Sequence, residues 1–155
     1  MTRLLLDTNI IADMMRNLQG PAAKRAIAIS STESGGKRGL FTSVIVQCEL
    51  EFGLARRPNP RLQIAYDAAM QSIDVLPLTK DIVSRYAQLR TQLEAAGTPI
   101  GANDLLIAAQ ALTINATLVS ADAEFLRVPG LQVENWLAEG GVDDVLRLSS
   151  NKRKL

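Results

Sequence analysis

The chain contains no histidine and only one cysteine, Cys48, among its 155 residues. Because imidazole is absent, a metal site in this protein would have to use oxygen ligands, which favours Mg²⁺ or Mn²⁺ over zinc. A single cysteine excludes an intrachain disulfide, and its place in an apolar helical segment predicts a small buried thiol. Aromatic residues make up 4% of the chain, so stacking on bases is not expected to dominate any contact with nucleic acid.

Long apolar runs are also missing. The run from Leu4 to Leu6 ends at Asp7 and is far too short to be a signal peptide or to cross a membrane. We therefore expect a cytoplasmic protein with no membrane partner. The length of the chain and a hydrophobic fraction of 47% are sufficient for one compact domain with its own core.

Short apolar strands alternate with segments of helical periodicity along the chain. Thr8 and Asn9 after the first strand, and Ser43 after the second, are typical helix N-caps. Strands that alternate with helices predict a parallel sheet covered by helices on both faces. The predicted strands lie at 3–6, 40–42, 73–76, 117–120 and 131–134, and the helices at 8–17, 22–29, 44–56, 61–72, 82–93 and 103–114, with a polar loop at 30–39.

Four carboxylates stand where the chain leaves a strand or enters a helix. A buried carboxylate is costly unless something neutralises it, and a divalent cation would do so. Because the active crevice of a parallel sheet lies beyond the carboxyl ends of its strands, one crevice can collect acids from several elements. The four acids are Asp7 after the leucine run, Glu49 in the second turn of a helix, Asp104 at a helix start and Asp122 after a strand.

Each acid also has a purely structural interpretation. Asp7 and Asp122 can cap the helical turns that follow them, and Asp104 can simply complement a helix dipole. Glu49 lies at the edge of the buried face of its helix, where an unpaired glutamate is unfavourable, whereas Glu51 points elsewhere and is expected to be solvated. The order of the four acids along the chain is therefore a more specific indication of a functional site than any one acid alone.

The formal net charge of the chain is +1. If the four acids hold a cation, the remaining 12 acidic residues face 17 basic ones, which favours a polyanionic partner. Ordinary solvated charge explains any single basic cluster equally well. The clusters lie at 37–38, 56–61 and 152–154.

The motifs around the four acids resemble those of the PIN-domain ribonucleases, and most closely the VapC-type toxins of bacterial toxin–antitoxin pairs. The resemblance covers about residues 3–137 in the right order. It implies a PIN-like three-layer α/β/α sandwich with a short, mainly parallel central sheet. Residues 1–137 would form the PIN domain, and residues 138–155 would form a polar, partly mobile C-terminal tail. The motifs are Asp7-Thr-Asn, the segment 43–53 around Glu49, the segment 101–109 around Asp104 and the segment 117–136 that includes Asp122.

The resemblance also implies an activity, that of a Mg²⁺-dependent endoribonuclease in which Mn²⁺ can substitute. A metal-activated water would cleave RNA and leave the phosphate on the 5′ side of the new end, so no histidine base would be needed. The residues that would carry this chemistry are Asp7, Glu49, Asp104 and Asp122 as metal ligands and catalytic acids, with Asn9 and Ser120 as their polar neighbours.

Partners follow from the same resemblance. The chain would form a homodimer, its substrate would be a tRNA or rRNA loop, and a cognate VapB-like antitoxin would hold it inactive by covering the site. The helices around Ile10, Met14, Met15 and Leu54 could supply a groove for that antitoxin, with buried core as the equal alternative.

Two other interpretations begin from the same residues. Phosphatases of the haloacid-dehalogenase type also place an aspartate after an apolar strand, but they expect a second aspartate where Asn9 stands. A PIN-like scaffold without nuclease activity would bind a partner, although such a module has no reason to keep four buried charges.

Overall fold

A computed structural model describes residues 3–31 and 39–138 of the chain. The strands in these ranges form one five-stranded sheet in which every neighbouring pair is parallel. They are β1 (Arg3–Leu6), β2 (Leu40–Ser43), β3 (Asp74–Leu76), β4 (Ala116–Val119) and β5 (Val133–Glu134).

Helices connect the strands, so the prediction of an α/β fold with a short parallel sheet is confirmed. Two 3-10 turns, Lys80–Ile82 and Ala123–Arg127, complete the elements in the described ranges. The α-helices are α1 (Thr8–Arg16), α2 (Pro21–Ser31), α3 (Val44–Arg56), α4 (Pro60–Met70), α5 (Val83–Ala95) and α6 (Ala102–Thr113).

The helix caps agree only in part with the predicted ones. Ser43 caps α3 as predicted, because its hydroxyl accepts a hydrogen bond of 3.1 Å from the Ile45 N–H. The cap of α1 is not Thr8 or Asn9 but Asp7, as the structural interpretation of this acid predicted: the backbone is still extended at Asp7, and its carboxylate accepts from the Thr8 N–H. The chain also stays helical through Ser31, beyond the predicted end of α2.

The core forms around β1, which lies between β2 and β4. Leu5 pairs with Phe41 on one side and Leu118 on the other, and both Leu5 and Leu6 are fully buried. A strand with neighbours on both sides and helices on both faces has to be apolar at every position. This requirement accounts for the run of three leucines in the sequence.

The strand order β3-β2-β1-β4-β5 determines where the site lies. The chain moves outward from β1 through β2 to β3 and then returns across the sheet to β4, so its direction of travel reverses between β1 and β4. Crevices form at such a reversal beyond the carboxyl ends of the strands. Asp7 leaves β1 at this point, and its N–H donates to the Val119 carbonyl of β4 at 2.9 Å.

Several other expectations meet the structure here. The prediction that Cys48 is a buried thiol is wrong, because Cys48 lies on the exposed side of α3. Within the described ranges, no helix combines the length and the apolar character that crossing a membrane requires. The domain boundary at 137–138 stays a prediction, and most of the polar loop at 30–39, the C-terminal tail and two basic clusters lie outside the described residues.

Candidate active site

Asp7 is the most buried acid of the site, with 4% of its surface exposed. Its Oδ1 accepts from the Thr8 N–H at 2.8 Å, and its Oδ2 accepts from the Ser120 hydroxyl at 2.7 Å and from the Asn9 amide at 3.3 Å. Burial nevertheless raises the pKa of Asp7, and the charges of Glu49 and Asp122 add to this effect. These hydrogen bonds fix the orientation of the Asp7 carboxylate, but they do not fully offset the free-energy cost of burying its charge.

Asn9 and Ser120 join the end of β1 to the end of β4. The Asn9 amide donates to the Ser120 hydroxyl at 3.3 Å, and its carbonyl oxygen accepts from the Ala121 N–H at 3.0 Å. The Ser120 hydroxyl also accepts from the Asp122 N–H at 3.0 Å. Both residues thus lie beside Asp7, as the sequence motifs predicted, and they orient the two aspartates that follow these strands.

Asp104 lies in the first turn of α6 and is about half-buried. Its pKa is raised to about 6, first by burial and then by the negative charges of Asp7, Asp122, Glu49 and Glu124. A simple role in complementing the helix dipole would stabilise the charged form and lower the pKa. Burial, together with the crowding of carboxylates, therefore outweighs the dipole at this position.

Glu124 is an acid of the site that the sequence analysis missed. One carboxylate oxygen each from Asp104, Asp122 and Glu124 lie within 4.8 Å of one another. The 3-10 turn brings Glu124 there, because the Asp122 carboxylate accepts the Glu124 N–H at 2.9 Å and caps the turn. The pattern Asp122-Ala-Glu124 shortly after a strand is the available signal, but only Asp122 of this segment was assigned to the site from the sequence.

Glu49 reaches the same pocket from α3. Its Oε2 accepts from the Thr8 hydroxyl, and its Oε1 accepts from the Asn103 amide at 3.3 Å. Glu51 is exposed, as expected, and accepts a hydrogen bond of 3.1 Å from the Tyr66 hydroxyl. The structure thus brings together the four predicted acids and one more. We call this group the acidic edge: Asp7, Glu49, Asp104, Asp122 and Glu124.

The acidic edge offers oxygen ligands only. Its carboxylates come from the ends of two neighbouring strands and from two helices, and the hydroxyl of Ser120 lies among them. The one thiol, Cys48, is on the exposed side of α3. Hard divalent cations prefer such oxygen donors, and a cation would offset the repulsion that raises the pKa of Asp104. The donor set thus fits a divalent metal.

A second concave surface lies between α1, α2 and α4. It has a volume of about 770 Å³ and is mostly apolar. Met14 and Met15 line it but are themselves largely buried in the core, Ile10 is fully buried, and Leu54 is not part of the lining. The predicted groove for an antitoxin stays a prediction, and its alternative of buried core describes Ile10, Met14 and Met15. Three large side chains that line it, Leu18, Ile27 and Ile64, are exposed. We call this surface the apolar groove. Its residues are Met14, Met15, Leu18, Ala23, Ala26, Ile27, Ile64, Ala65, Ala68 and Ala69, with Arg16 and Arg61 also among the lining.

Comparison with known families agrees with this geometry. A family model described as PIN domain matches residues 4–131. Since this match spans most of the chain and the acidic edge lies within it, the chain belongs to the PIN domain family. The match decides against the phosphatase alternative.

Individual relatives narrow the assignment. Ribonuclease VapC2 of Rickettsia felis is 34% identical over 142 residues, covering 85% of this chain and 96% of the relative. The tRNA(fMet)-specific endonuclease VapC of Shigella flexneri is 28% identical over 138 residues, covering 88% and 99%. A solved structure of VapBC2 from Rickettsia felis, bound to a promoter DNA fragment, matches with a TM-score of 0.77 at 29% identity, covering 87% and 99%. The predicted resemblance to VapC-type toxin ribonucleases is confirmed.

Proposed function

We propose that this chain is a Mg²⁺-dependent endoribonuclease and that the acidic edge is its catalytic centre. The observation that carries the proposal is the convergence of acids from distant parts of the chain. One carboxylate oxygen each from Asp104, Asp122 and Glu124 lie within 4.8 Å of one another, and the charges of Asp7 and Glu49 are close enough to raise the pKa of Asp104. Such crowding destabilises the fold unless a cation is bound, since each acid disfavours the charge of its neighbours. A crowded site of this kind is typical of function rather than of folding.

Mg²⁺ is the cation that we assign to the site, and Mn²⁺ should substitute because it also prefers oxygen ligands. Asp7, Asp104, Asp122 and Glu124 would hold it, with Glu49 completing the set. When bound, the cation supplies Lewis-acid chemistry, making water more acidic and offsetting the charge that develops on the phosphate.

The residues of the chain divide the remaining work. Asn9 and Ser120 hold Asp7 in one orientation, and Glu49, which is less buried than Asp7, would orient the attacking water and accept its proton. The water oxygen bonds to phosphorus while the bond to the 3′ oxygen breaks, and the leaving 3′ oxygen takes a proton from solvent water. The products carry a 5′-phosphate and a 3′-hydroxyl, and no imidazole is required.

A folded tRNA is the substrate class that we propose, and an rRNA loop is the competing one. The name of the Shigella flexneri relative, a tRNA(fMet)-specific endonuclease, supports the first. Sequence-specific proteins read RNA mainly in loops whose bases are unstacked, so the target would be a loop rather than a stem.

The decisive experiment is cleavage of tRNA and of rRNA fragments by the purified chain with Mg²⁺, with Mn²⁺ and with EDTA. We expect cleavage with either cation, 5′-phosphate ends and no cleavage in EDTA. Glu124→Gln should lower the rate by about 10- to 100-fold, whereas the exposed Glu94→Gln should not. Cleavage that persists in EDTA would contradict the metal assignment. A wild-type chain that binds RNA but never cleaves it would instead support the scaffold alternative.

A VapB-type antitoxin is the partner that we assign to the apolar groove. VapC chains in the solved relatives are found in VapBC complexes, which supports a cognate partner. The groove lies between three helices and has a mostly apolar lining, so it suits an amphipathic helix, and the exposed Arg16 and Arg61 among its lining residues favour acidic residues on that helix. We also propose that the chain is cytoplasmic and forms a homodimer. Light scattering of the purified protein would test the dimer.

A further inference from the structure

Two side chains from different helices hold the Glu49 carboxylate. Thr8, the first residue of α1, donates its hydroxyl to Oε2, and Asn103, near the start of α6, donates its amide to Oε1 at 3.3 Å. Among the described residues, no backbone N–H donates to Glu49. Its orientation therefore depends on these two side chains alone.

The other well-fixed acids of the acidic edge differ in this respect. Asp7 accepts a backbone N–H in addition to two side chains, and Asp122 accepts the Glu124 N–H. Glu49 also has a longer side chain with more rotamers, so it has more freedom to leave the pocket. Its charge repels those of Asp7 and Asp104, since it contributes to the raised pKa of both.

We propose that Asn103 is a positioning residue, which keeps the Glu49 carboxylate inside the acidic edge against the repulsion of Asp7 and Asp104. An asparagine suits this task because it donates a hydrogen bond without bringing a charge. A lysine at the same position would neutralise Glu49, and an aspartate would repel it. The inference rests on the proposed function, because it assigns Glu49 to the chemical step.

Two substitutions separate this role from a role in helix α6 itself. Asn103→Ala removes the donor, and Asn103→Asp replaces the amide with a carboxylate of the same shape. We expect kcat for RNA cleavage to fall about tenfold in N103A and further in N103D, with KM within about twofold of wild type. A helix role predicts the reverse order, because an aspartate in the first turn of a helix is favourable. The control is Asn17→Ala, because Asn17 lies at the C-terminal end of α1, away from the acidic edge.

A second measurement needs neither metal nor substrate. In EDTA, thermal unfolding of N103A, Glu49→Ala and the double variant forms a cycle that reports the coupling of the two residues. We expect N103A to shift Tm in the wild-type background and to leave it unchanged when Glu49 is absent.

Three results would overturn the inference. These are an unchanged kcat in N103A, a rise in KM alone, which would place Asn103 on the RNA, and an equal Tm shift in both backgrounds. Failure of the proposed function looks different: the wild type would then not cleave RNA with Mg²⁺, while the unfolding cycle in EDTA would still decide the contact between Asn103 and Glu49.

Discussion

The acidic edge and the apolar groove lie at opposite ends of the same helix. At the N-terminal end of α1, Thr8 and Asn9 donate hydrogen bonds to acids of the acidic edge. At its C-terminal end, Met14 and Met15 line the groove. The helix has nine residues, so the two ends are about 13 Å apart. At the acidic edge, uncharged donors hold in place carboxylates that repel one another, whereas the groove is apolar and open. If the acidic edge is catalytic and the groove binds the partner, as proposed, the two functions should be separable by mutation although the two surfaces share one helix.

The largest effect is expected from Asp7→Asn, which breaks the acidic edge and leaves the groove intact. The asparagine oxygen can still accept the Thr8 N–H, so the fold is retained, while the cation loses its most buried ligand. We expect RNA cleavage to fall by at least about 100-fold, with binding of the antitoxin helix unchanged. Cleavage by Asp7→Asn at the wild-type rate would contradict the proposed mechanism; the exposed Asp67→Asn is the control.

The converse experiment alters the groove and leaves the acidic edge intact. Ile27 and Ile64 are 62% and 71% exposed, so Ile27→Asp and Ile64→Asp place a charge on the groove without unfolding the chain. We expect each to weaken binding of the VapB-type partner by about tenfold or more, since the charge has to be desolvated. RNA cleavage in the absence of partner should not change.

The control for this pair is Val83→Asp, at a valine on α5 that is 63% exposed and lies outside the groove. Equal loss of binding in this variant would show that added charge, rather than its place in the groove, is responsible. Titration calorimetry with the partner segment would measure the affinity of the groove variants and of Val83→Asp.

A smaller effect concerns pH and stability in the metal-free protein. The pKa of Asp104 is raised from 3.8 to about 6 in the folded chain, and that of Asp7 is raised as well. The folded state thus binds protons more tightly than the unfolded state, so the stability present below about pH 4 is lost as the pH rises through about 6. In EDTA, Tm should be higher at pH 5 than at pH 7.5.

Asp104→Asn should reduce this difference, and Mg²⁺ should raise Tm at pH 7.5 because it binds only the folded state. A Tm that instead increases between pH 5 and pH 7.5 in the wild type, with no change in Asp104→Asn, would show that crowding of the acidic edge does not limit stability.

The smallest effect is expected at Cys48, which lies in α3 next to Glu49 in sequence but on the exposed side. Cys48→Ser should change the free energy of unfolding by less than about 0.5 kcal/mol, as is usual for exposed positions. Chemical denaturation measures this directly, and a loss of more than about 2 kcal/mol would restore the original expectation of a buried thiol.

The sequence was sufficient to predict the sheet, because a buried parallel strand must be apolar throughout, as Leu4 to Leu6 are. It was also sufficient to predict that Asp7, Glu49, Asp104 and Asp122 lie close together, because the carboxyl ends of parallel strands and the following helices meet at one edge. Both predictions depend on local patterns with a single three-dimensional solution.

The sequence did not reveal two features, the place of Glu124 and the exposure of Cys48. Both depend on the direction in which a side chain points within a short turn or helix. Glu124 enters the site because the chain turns after β4: the Asp122 carboxylate caps the 3-10 turn by accepting the Glu124 N–H, which keeps the two acids close together. Cys48 is exposed because the buried face of α3 is narrow, with only Val46 and Leu50 fully covered. No periodicity in the sequence distinguishes these outcomes from their alternatives.

The hydrogen bond between Ser120 and Asp7 joins residues that are 113 positions apart in the chain. A ribosome releases the chain from its N-terminal end, so Asp7 emerges long before the strand that orients it. No nascent fragment that ends before β4 contains an assembled acidic edge. A nuclease built in this order cannot attack RNA near the ribosome that is making it until almost the whole domain has been translated and folded.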